Sequence, residues 1–325
     1  MARIAIVAPA AGTPHAGNRV TADRYAGHLR TLGHRVTVAE TVAAAEAAGR
    51  AELLIALHAR KSAAAVAKFV RRRPPQPAVV VLTGTDLYRD IFSSRAAEAA
   101  VESAARLVVF HDEGLRRLPA VWRKKATVIH KSSPPLTAAA AAPLKRSFEV
   151  SVSGHLRSVK DPFRAALAAR RLPASSRIRV TQFGAPLSAA MQLRAEREMD
   201  CNGRYHYLGE VSRGRARRLL ARSRVLVVSS QIEGAANVIA EAAAARVPVV
   251  ASRISGNLGM LGRDYPGYFE LKSTQQLAEL LLRCEREPQF LRRLRKAVAG
   301  RAPLFRPSRE RAELGRLVAA LLGQR

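Results

Sequence analysis

Residues 224–252 read RVLVVSSQIEGAANVIAEAAAARVPVVAS, and this stretch decides the fold. RVLVVS (224–229) is an apolar, β-branched run of strand length, and VPVVAS (247–252) is another. Between them ANVIAEAAAA has the composition of a helix, and QIEGAAN (231–237) is the turn into it. Strand, turn, helix, strand is the repeating unit of a parallel sheet covered on both faces.

The pattern runs the length of the 325-residue chain. The runs at 3–8, 34–39, 52–57, 78–83, 106–110 and 126–130 read as one set of strands. A second set lies at 148–153, 177–183, 205–209, 224–229, 247–252 and 267–271. Ala/Arg-rich helical stretches separate them. KSSPPLTAAAAAPLKRS (131–147), with three prolines and an alanine run, breaks the series and reads as a connection between two domains. The expected organisation is a Rossmann-like domain over 1–132, a linker at 133–147 and a second Rossmann-like domain over 148–305. A helix over 306–325 carries an apolar stripe at Leu314, Leu317, Val318, Leu321 and Leu322, and is expected to pack back toward the first domain. Two doubly wound α/β domains of this kind bind ligands beyond the C-terminal ends of their strands, so the substrates are expected in an interdomain cleft.

Two glutamates, Glu233 and Glu241, bracket the helix start at 231–241. Gly234, Ala235, Ala236 and Asn237 allow close approach to a backbone whose exposed N–H groups favour a phosphate. The carboxylates would repel that phosphate and must contact something else. In a continuous helix, eight residues place them about 12 Å apart, too far for one metal or one proton and suited to the hydroxyls of an elongated ligand. A nucleotide-sugar has that shape. Taken singly, Glu233 also reads as a helix cap and Glu241 as a solvent-facing acid.

VSVSGHLRSVKDPF (150–163) supports the same reading: Gly154 ends a strand, Arg157 and Lys160 follow, and Asp161-Pro162 opens the next helix. Two cations in such a loop neutralise a diphosphate without a metal. No DxD, HExxH or comparable spacing is present, and neither a metal nor a cofactor is expected.

Three loops of the first domain carry a different inventory. PHAGNR (14–19), LHARKS (57–62) and TGTDLYRD (83–90) offer Gly17, Asn18, Arg19, His58, Arg60, Lys61, Thr85, Asp86 and Arg89. A sugar or lipid acceptor favours aromatics and carboxylates; this set suits a small, highly charged oxyanion. Asp86, an acid among cations, reads as an organiser of Arg19 or Lys61, as a group orienting the acceptor's proton, or as a helix N-cap. His58 and His111 sit at strand ends, where they read either as structural or as proton carriers. Lys131 is a further cleft candidate, and Tyr265 and Tyr268 read as packing residues.

Composition bounds the alternatives. The net charge is +30, with arginines scattered over helical faces. Aromatics make up 5% of the chain and no nucleic-acid-binding motif occurs, so no specific nucleic-acid partner is expected. No apolar run approaches the roughly 18–20 residues of a membrane span. The N-terminal apolar run reads as a strand rather than a signal peptide. Two cysteines without metal spacing are consistent with a reducing cytoplasm.

GHLRSVK, the E-x7-E pattern of EGAANVIAE, VPVVAS and the LGHRVTV entry to the second strand resemble the retaining GT-B glycosyltransferases of family four. That resemblance implies that Arg157 and Lys160 bind a diphosphate, that Glu241 binds ribose hydroxyls, and that Glu233 with the amides after it holds the donor sugar. One departure is Ala236, where the usual E-G-F-G stretch has its second glycine. A narrower set of blocks, GNRVTADRYA, LIALHARKSA, VVLTGTDLYRDI, GHLRSVKDPF, EGAANVIAEA, ASRISGNLGMLG and DYPGYF, resembles the selenosugar synthases of selenoneine biosynthesis. It implies attack of selenophosphate on UDP-N-acetylglucosamine, or on UDP-glucose, giving a 1-seleno-sugar, UDP and phosphate. Selenophosphate synthetase and selenoneine synthase would be the pathway neighbours. A conventional GT-B transferase acting on a sugar, lipid or small-molecule acceptor is the alternative.

Overall fold

The computed structural model describes residues 1–9, 17–47, 49–72, 74–135 and 147–323. Residues 14–16 of the first polar loop and 136–146 of the expected linker lie outside the described residues. The chain forms two compact units, Met1–Ser132 with Arg306–Arg325, and Ser133–Phe305.

The first unit is built on six parallel strands: β1 (Arg3–Val7), β2 (Arg35–Ala39), β3 (Leu53–Leu57), β4 (Ala78–Val81), β5 (Arg106–Val109) and β6 (Ala126–Val128). Their order is β2-β1-β3-β4-β5-β6. Ile4 pairs with Val36 on one side and Leu53 on the other, which fixes the register at the point where the order reverses. β3 and β4 are buried along their whole length, as continuous apolar runs require when helices cover both faces. Leu54, Val80 and Leu107 pack there with Phe69 and Val101 from the covering helices.

The second unit contains β7 (Phe148–Ser153), β8 (Ile178–Phe183), β9 (Tyr205–Tyr207), β10 (Val225–Val228), β11 (Val249–Ser252) and β12 (Tyr268–Phe269). The order β12-β11-β10-β7-β8-β9, parallel throughout, reverses between β7 and β10. All the strand runs read from the sequence form strands, although 205–209 and 267–271 shorten to Tyr205–Tyr207 and Tyr268–Phe269. Gly209, at φ +65°, turns the chain out of the first of these.

The helix Pro307–Leu322 returns to the first unit and packs on the helix Gly17–Thr31. Its stripe buries Leu314, Leu317, Val318 and Leu321. Beside them Glu310 is completely buried. Arg24 Nε donates to it at 2.8 Å, His28 Nε2 lies at 3.1 Å, and the Ser132 backbone N–H donates at 3.2 Å. The Ser132 hydroxyl donates to the same oxygen. Burial pushes the Glu310 carboxyl up, but the His28 bond, the Arg24 charge and the Ser132 bond outweigh it and hold it below the usual range.

Candidate functional site

In doubly wound sheets the loops after the two strands flanking the order reversal lie side by side. In the second unit these follow β7 and β10, and they bring Lys160 to Glu233, whose Oε1 accepts from the lysine ammonium. The Ser230 hydroxyl donates to that oxygen at 2.7 Å. One backbone and one side-chain bond set the two loops together: Gln231 N donates to Val159 O at 2.8 Å, and Ser229 Oγ donates to Asp161 O at 2.8 Å. Ser252 Oγ at the end of β11 donates to Ser230 O at 2.6 Å and carries the same tie to the next strand.

The turn over Gly234, Ala235 and Ala236 is buried and leads into the helix Asn237–Ala245. Ala236 occupies the N-cap position at φ −72°, with no side-chain bond to the first turn. The sequence reading of Glu233 as a helix cap is therefore not what forms: Glu233 precedes the cap and turns to Lys160. Glu241 lies on the helix itself, so the two glutamates are not carried on one continuous helix. A methyl group on Gly256 would overlap the Glu233 carbonyl, so the segment after β11 packs directly beneath this turn.

The loop after β7 starts at Gly154, φ +148°. It lies against Gly184, φ +142°, where any side chain would overlap the Gly154 carbonyl. Arg157 is exposed and precedes a 3-10 turn, Ser158–Lys160. The helix expected from Asp161-Pro162 starts instead at Arg164. Asp161 takes a left-handed conformation, φ +45°, and accepts from Arg164 Nε at 2.8 Å. His155, not singled out from the sequence, accepts the Ala185 N–H on Nδ1 at 3.2 Å, which puts the proton of its neutral ring on Nε2. Its signal was the Gly-His pair directly after a strand; Ser229, Ser230 and Gln231 carried none.

In the first unit the loops after β3 and β4 meet. Gly17, Asn18 and Arg19 form the first turn of the helix Gly17–Thr31, where Arg19 pairs with Asp23 at 3.0 Å. Asp86 is buried and accepts from the N–H groups of Ala59 at 3.0 Å, Thr83 at 2.8 Å and Gly84 at 2.8 Å. It sits inside the short helix Thr85–Tyr88, whose N-cap is Gly84, so it organises the loop backbones rather than capping the helix. Nor are Arg19 or Lys61 among its hydrogen-bonding partners; His58 lies beside it, Nδ1 4.0 Å away. His58 is buried and takes φ +72°, uncommon for a residue with a side chain. Its Nε2 is 3.0 Å from Thr85 Oγ1. Burial lowers the His58 pKa below the ordinary value, Asp86 and Asp90 raise it, and Lys61 and Arg60 lower it. Arg60 and Lys61 are exposed. His111 caps the helix Asp112–Arg117 by accepting from Gly114 N at 2.9 Å. Lys131 is buried with its ammonium 4.3 Å from the centre of the Phe110 ring. Tyr265 is buried against Val249, as a packing residue should be.

Among the described residues, no group of three or more His, Cys, Asp or Glu is placed to hold a metal ion. No helix among them is long and apolar enough to cross a membrane.

Known proteins agree with this architecture. The Anabaena protein Alr3699/HepE, solved with UDP and glucose, superposes with a TM-score of 0.77 at 16% identity, covering 98% of this chain and all of that one. Sucrose-phosphate synthase from Thermosynechococcus elongatus gives 0.80 at 16% identity, over the full length of both chains. These likenesses establish the GT-B fold. In sequence, the chain is 25% identical over 303 residues to the Xenopus tropicalis glycosyltransferase 1 domain-containing protein 1, covering 86% of this chain and 87% of that one. Residues 139–301 match the family described as "Glycosyl transferases group 1". With half the chain matched and the fold shared, the protein belongs to the group 1 glycosyl transferases.

Proposed function

We propose that the protein transfers N-acetylglucosamine, or glucose, from the UDP-sugar to selenophosphate, forming a C–Se bond without a metal. The observation that carries the reading is the junction of the β7 and β10 loops, where Lys160 and Glu233 pair beside a helix start with no side-chain cap. Uncapped N–H groups and the partial positive charge there suit a diphosphate, and Arg157 and Lys160 add fixed positive charge for the departing UDP. Glu233 and the amides of Gly234, Ala235, Ala236 and Asn237 take the donor sugar, and Glu241 takes the ribose.

Selenium of selenophosphate attacks the anomeric carbon as its bond to the UDP oxygen breaks. Water then cleaves the P–Se bond, giving phosphate and the selenol. Selenophosphate is already a strong nucleophile, so this scheme requires no general base. The acceptor half draws on the basic loops bearing Gly17, Asn18, Arg19, His58, Arg60, Lys61 and Thr85, with Asp86 positioning them, and on the seven sequence blocks quoted above. Selenophosphate synthetase would supply the acceptor and selenoneine synthase would use the product.

The test is mass spectrometry of reactions with UDP-N-acetylglucosamine or UDP-glucose, with and without selenophosphate. A selenium-isotope pattern on a new hexose- or hexosamine-sized product, with matching UDP release, supports the reading. UDP release only with a sugar, lipid or other acceptor would return the protein to conventional GT-B transfer.

A further inference from the structure

In the first unit the segments after β3 and β4 converge on a carboxylate that the scheme above does not use. Asp90 is almost completely buried, with 3% of its side chain exposed. Two arginines from different loops rest on it through their inner nitrogens. Arg89 Nε donates to Oδ1 at 3.0 Å, and Arg60 Nε lies 3.3 Å from Oδ2. Both side chains remain more than half exposed, at 59% and 52%. His58 Nε2 stands 3.9 Å from the same Oδ2. That oxygen has no well-formed hydrogen bond.

Contact through Nε leaves the outer N–H groups of both guanidiniums for another acceptor. Two carboxylates, Asp86 and Asp90, stand against three cations, Arg60, Arg89 and Lys61, which leaves a local surplus of positive charge. Lys61 N donates to His58 Nδ1 at 3.5 Å, so the imidazole proton lies on Nε2 and is given to Thr85 Oγ1. The Thr85 hydroxyl hydrogen is then left to donate elsewhere. A left-handed backbone is unfavourable for histidine, and here that conformation places the ring between Thr85 and Asp90.

We propose that Asp90 is a positioning residue for a doubly charged tetrahedral oxyanion of the phosphate class: it holds Arg60 and Arg89 toward one ligand, with the Thr85 hydroxyl as a third donor. The assignment deepens the acceptor half of the reading above and rests on it for its role in turnover. It adds Asp90 to the acceptor side, gives Arg89 of the basic loop set a defined part, and makes Asp90 act through the arginines rather than on the ligand.

The test measures binding of thiophosphate and inorganic phosphate to the full-length protein by calorimetry, with UDP as a control. Asp90→Asn and the double variant Arg60→Gln/Arg89→Gln are compared with wild type. Misplacing each guanidinium is expected to weaken the oxyanion by about ten-fold. UDP affinity should stay near wild type, and KM for the oxyanion acceptor should rise more than kcat falls. If Asp90→Asn does not fold, the double variant carries the test, since both arginines are largely exposed. Undiminished oxyanion affinity in the double variant overturns the proposal, as does a wild-type protein that binds neither oxyanion. Equal weakening of UDP by these variants also overturns it, because the site would then serve a nucleotide phosphate. Seleno-sugar formation with unchanged acceptor KM in the double variant would sink this assignment alone. Aspartate-dependent oxyanion binding without any selenium-bearing product would sink the reaction and leave the site.

Discussion

Lys160 and Glu233 form an ion pair across 73 positions of sequence, the first in the loop after β7 and the second in the loop after β10. The pair exists because these strands are neighbours at the order reversal. It joins the cation assigned to the diphosphate to the carboxylate assigned to the donor sugar. The two residues should nevertheless fail differently. Lys160→Met removes charge from the phosphate side and is expected to weaken UDP by about ten-fold. Glu233→Gln relieves Lys160 of its partner and should leave UDP affinity equal or tighter, while turnover of the UDP-sugar falls. Calorimetry with UDP beside steady-state kinetics separates the two. Identical losses in both would show that the pair acts only as a structural tie.

Gly256→Ala makes no contact with any proposed ligand, yet its methyl would overlap the Glu233 carbonyl. The turn from Glu233 to Ala236 must then move, and KM for the UDP-sugar is expected to rise by about ten-fold or more. An unchanged KM with normal folding would remove this turn from the donor site.

Glu310 gives a stability prediction with a definite sign. Its carboxyl is held below the usual range, so its contribution is present above the unfolded value and is lost as pH falls through the folded one. Glu310→Ala leaves the Arg24 guanidinium buried without its partner and should cost about 3–5 kcal/mol. Urea denaturation across acidic pH should show wild type losing this margin and Glu310→Ala lacking it throughout.

His58 has the same sign in a higher pH window. Its folded value is lowered, so the unfolded chain binds the proton first and stability falls as pH drops through the ordinary histidine range, about 6.5. His58→Gln should flatten that part of the stability profile. A profile of unchanged slope would mean the ring is not held neutral.

The two cysteines should behave unequally. Cys284 is buried and its thiol is pushed up to about 12 by desolvation, whereas Cys201 is exposed. Thiol titration of native protein should find one reactive group, and denatured protein two.

The strands were legible because a strand buried on both faces must be a continuous apolar run, and RIAIV, LLIAL and VLVV admit little else. The turn at QIEGAAN was legible from its small residues. What could not be read was which loops would meet, because pairing across an order reversal depends on strand order and not on local pattern. Glu233 read as a ligand-contacting carboxylate or, taken singly, as a cap, and neither reading contained its pairing with Lys160. Asp90 was not singled out within TGTDLYRD, because its neighbours His58 and Arg60 come from the loop after another strand. Glu310, within SRERAELG, was not singled out from the sequence. Only the return of that helix onto Arg24, His28 and Ser132 explains its burial.

The first unit is discontinuous, its last helix following the whole of the second unit in sequence. During synthesis the ribosome therefore completes Ser133–Phe305 before Pro307–Leu322 emerges to cover the helix Gly17–Thr31. Until then the apolar flank of the earlier-made unit stands open and Arg24 and His28 lack their buried carboxylate. The first unit therefore completes its packing only after the second unit has been synthesised.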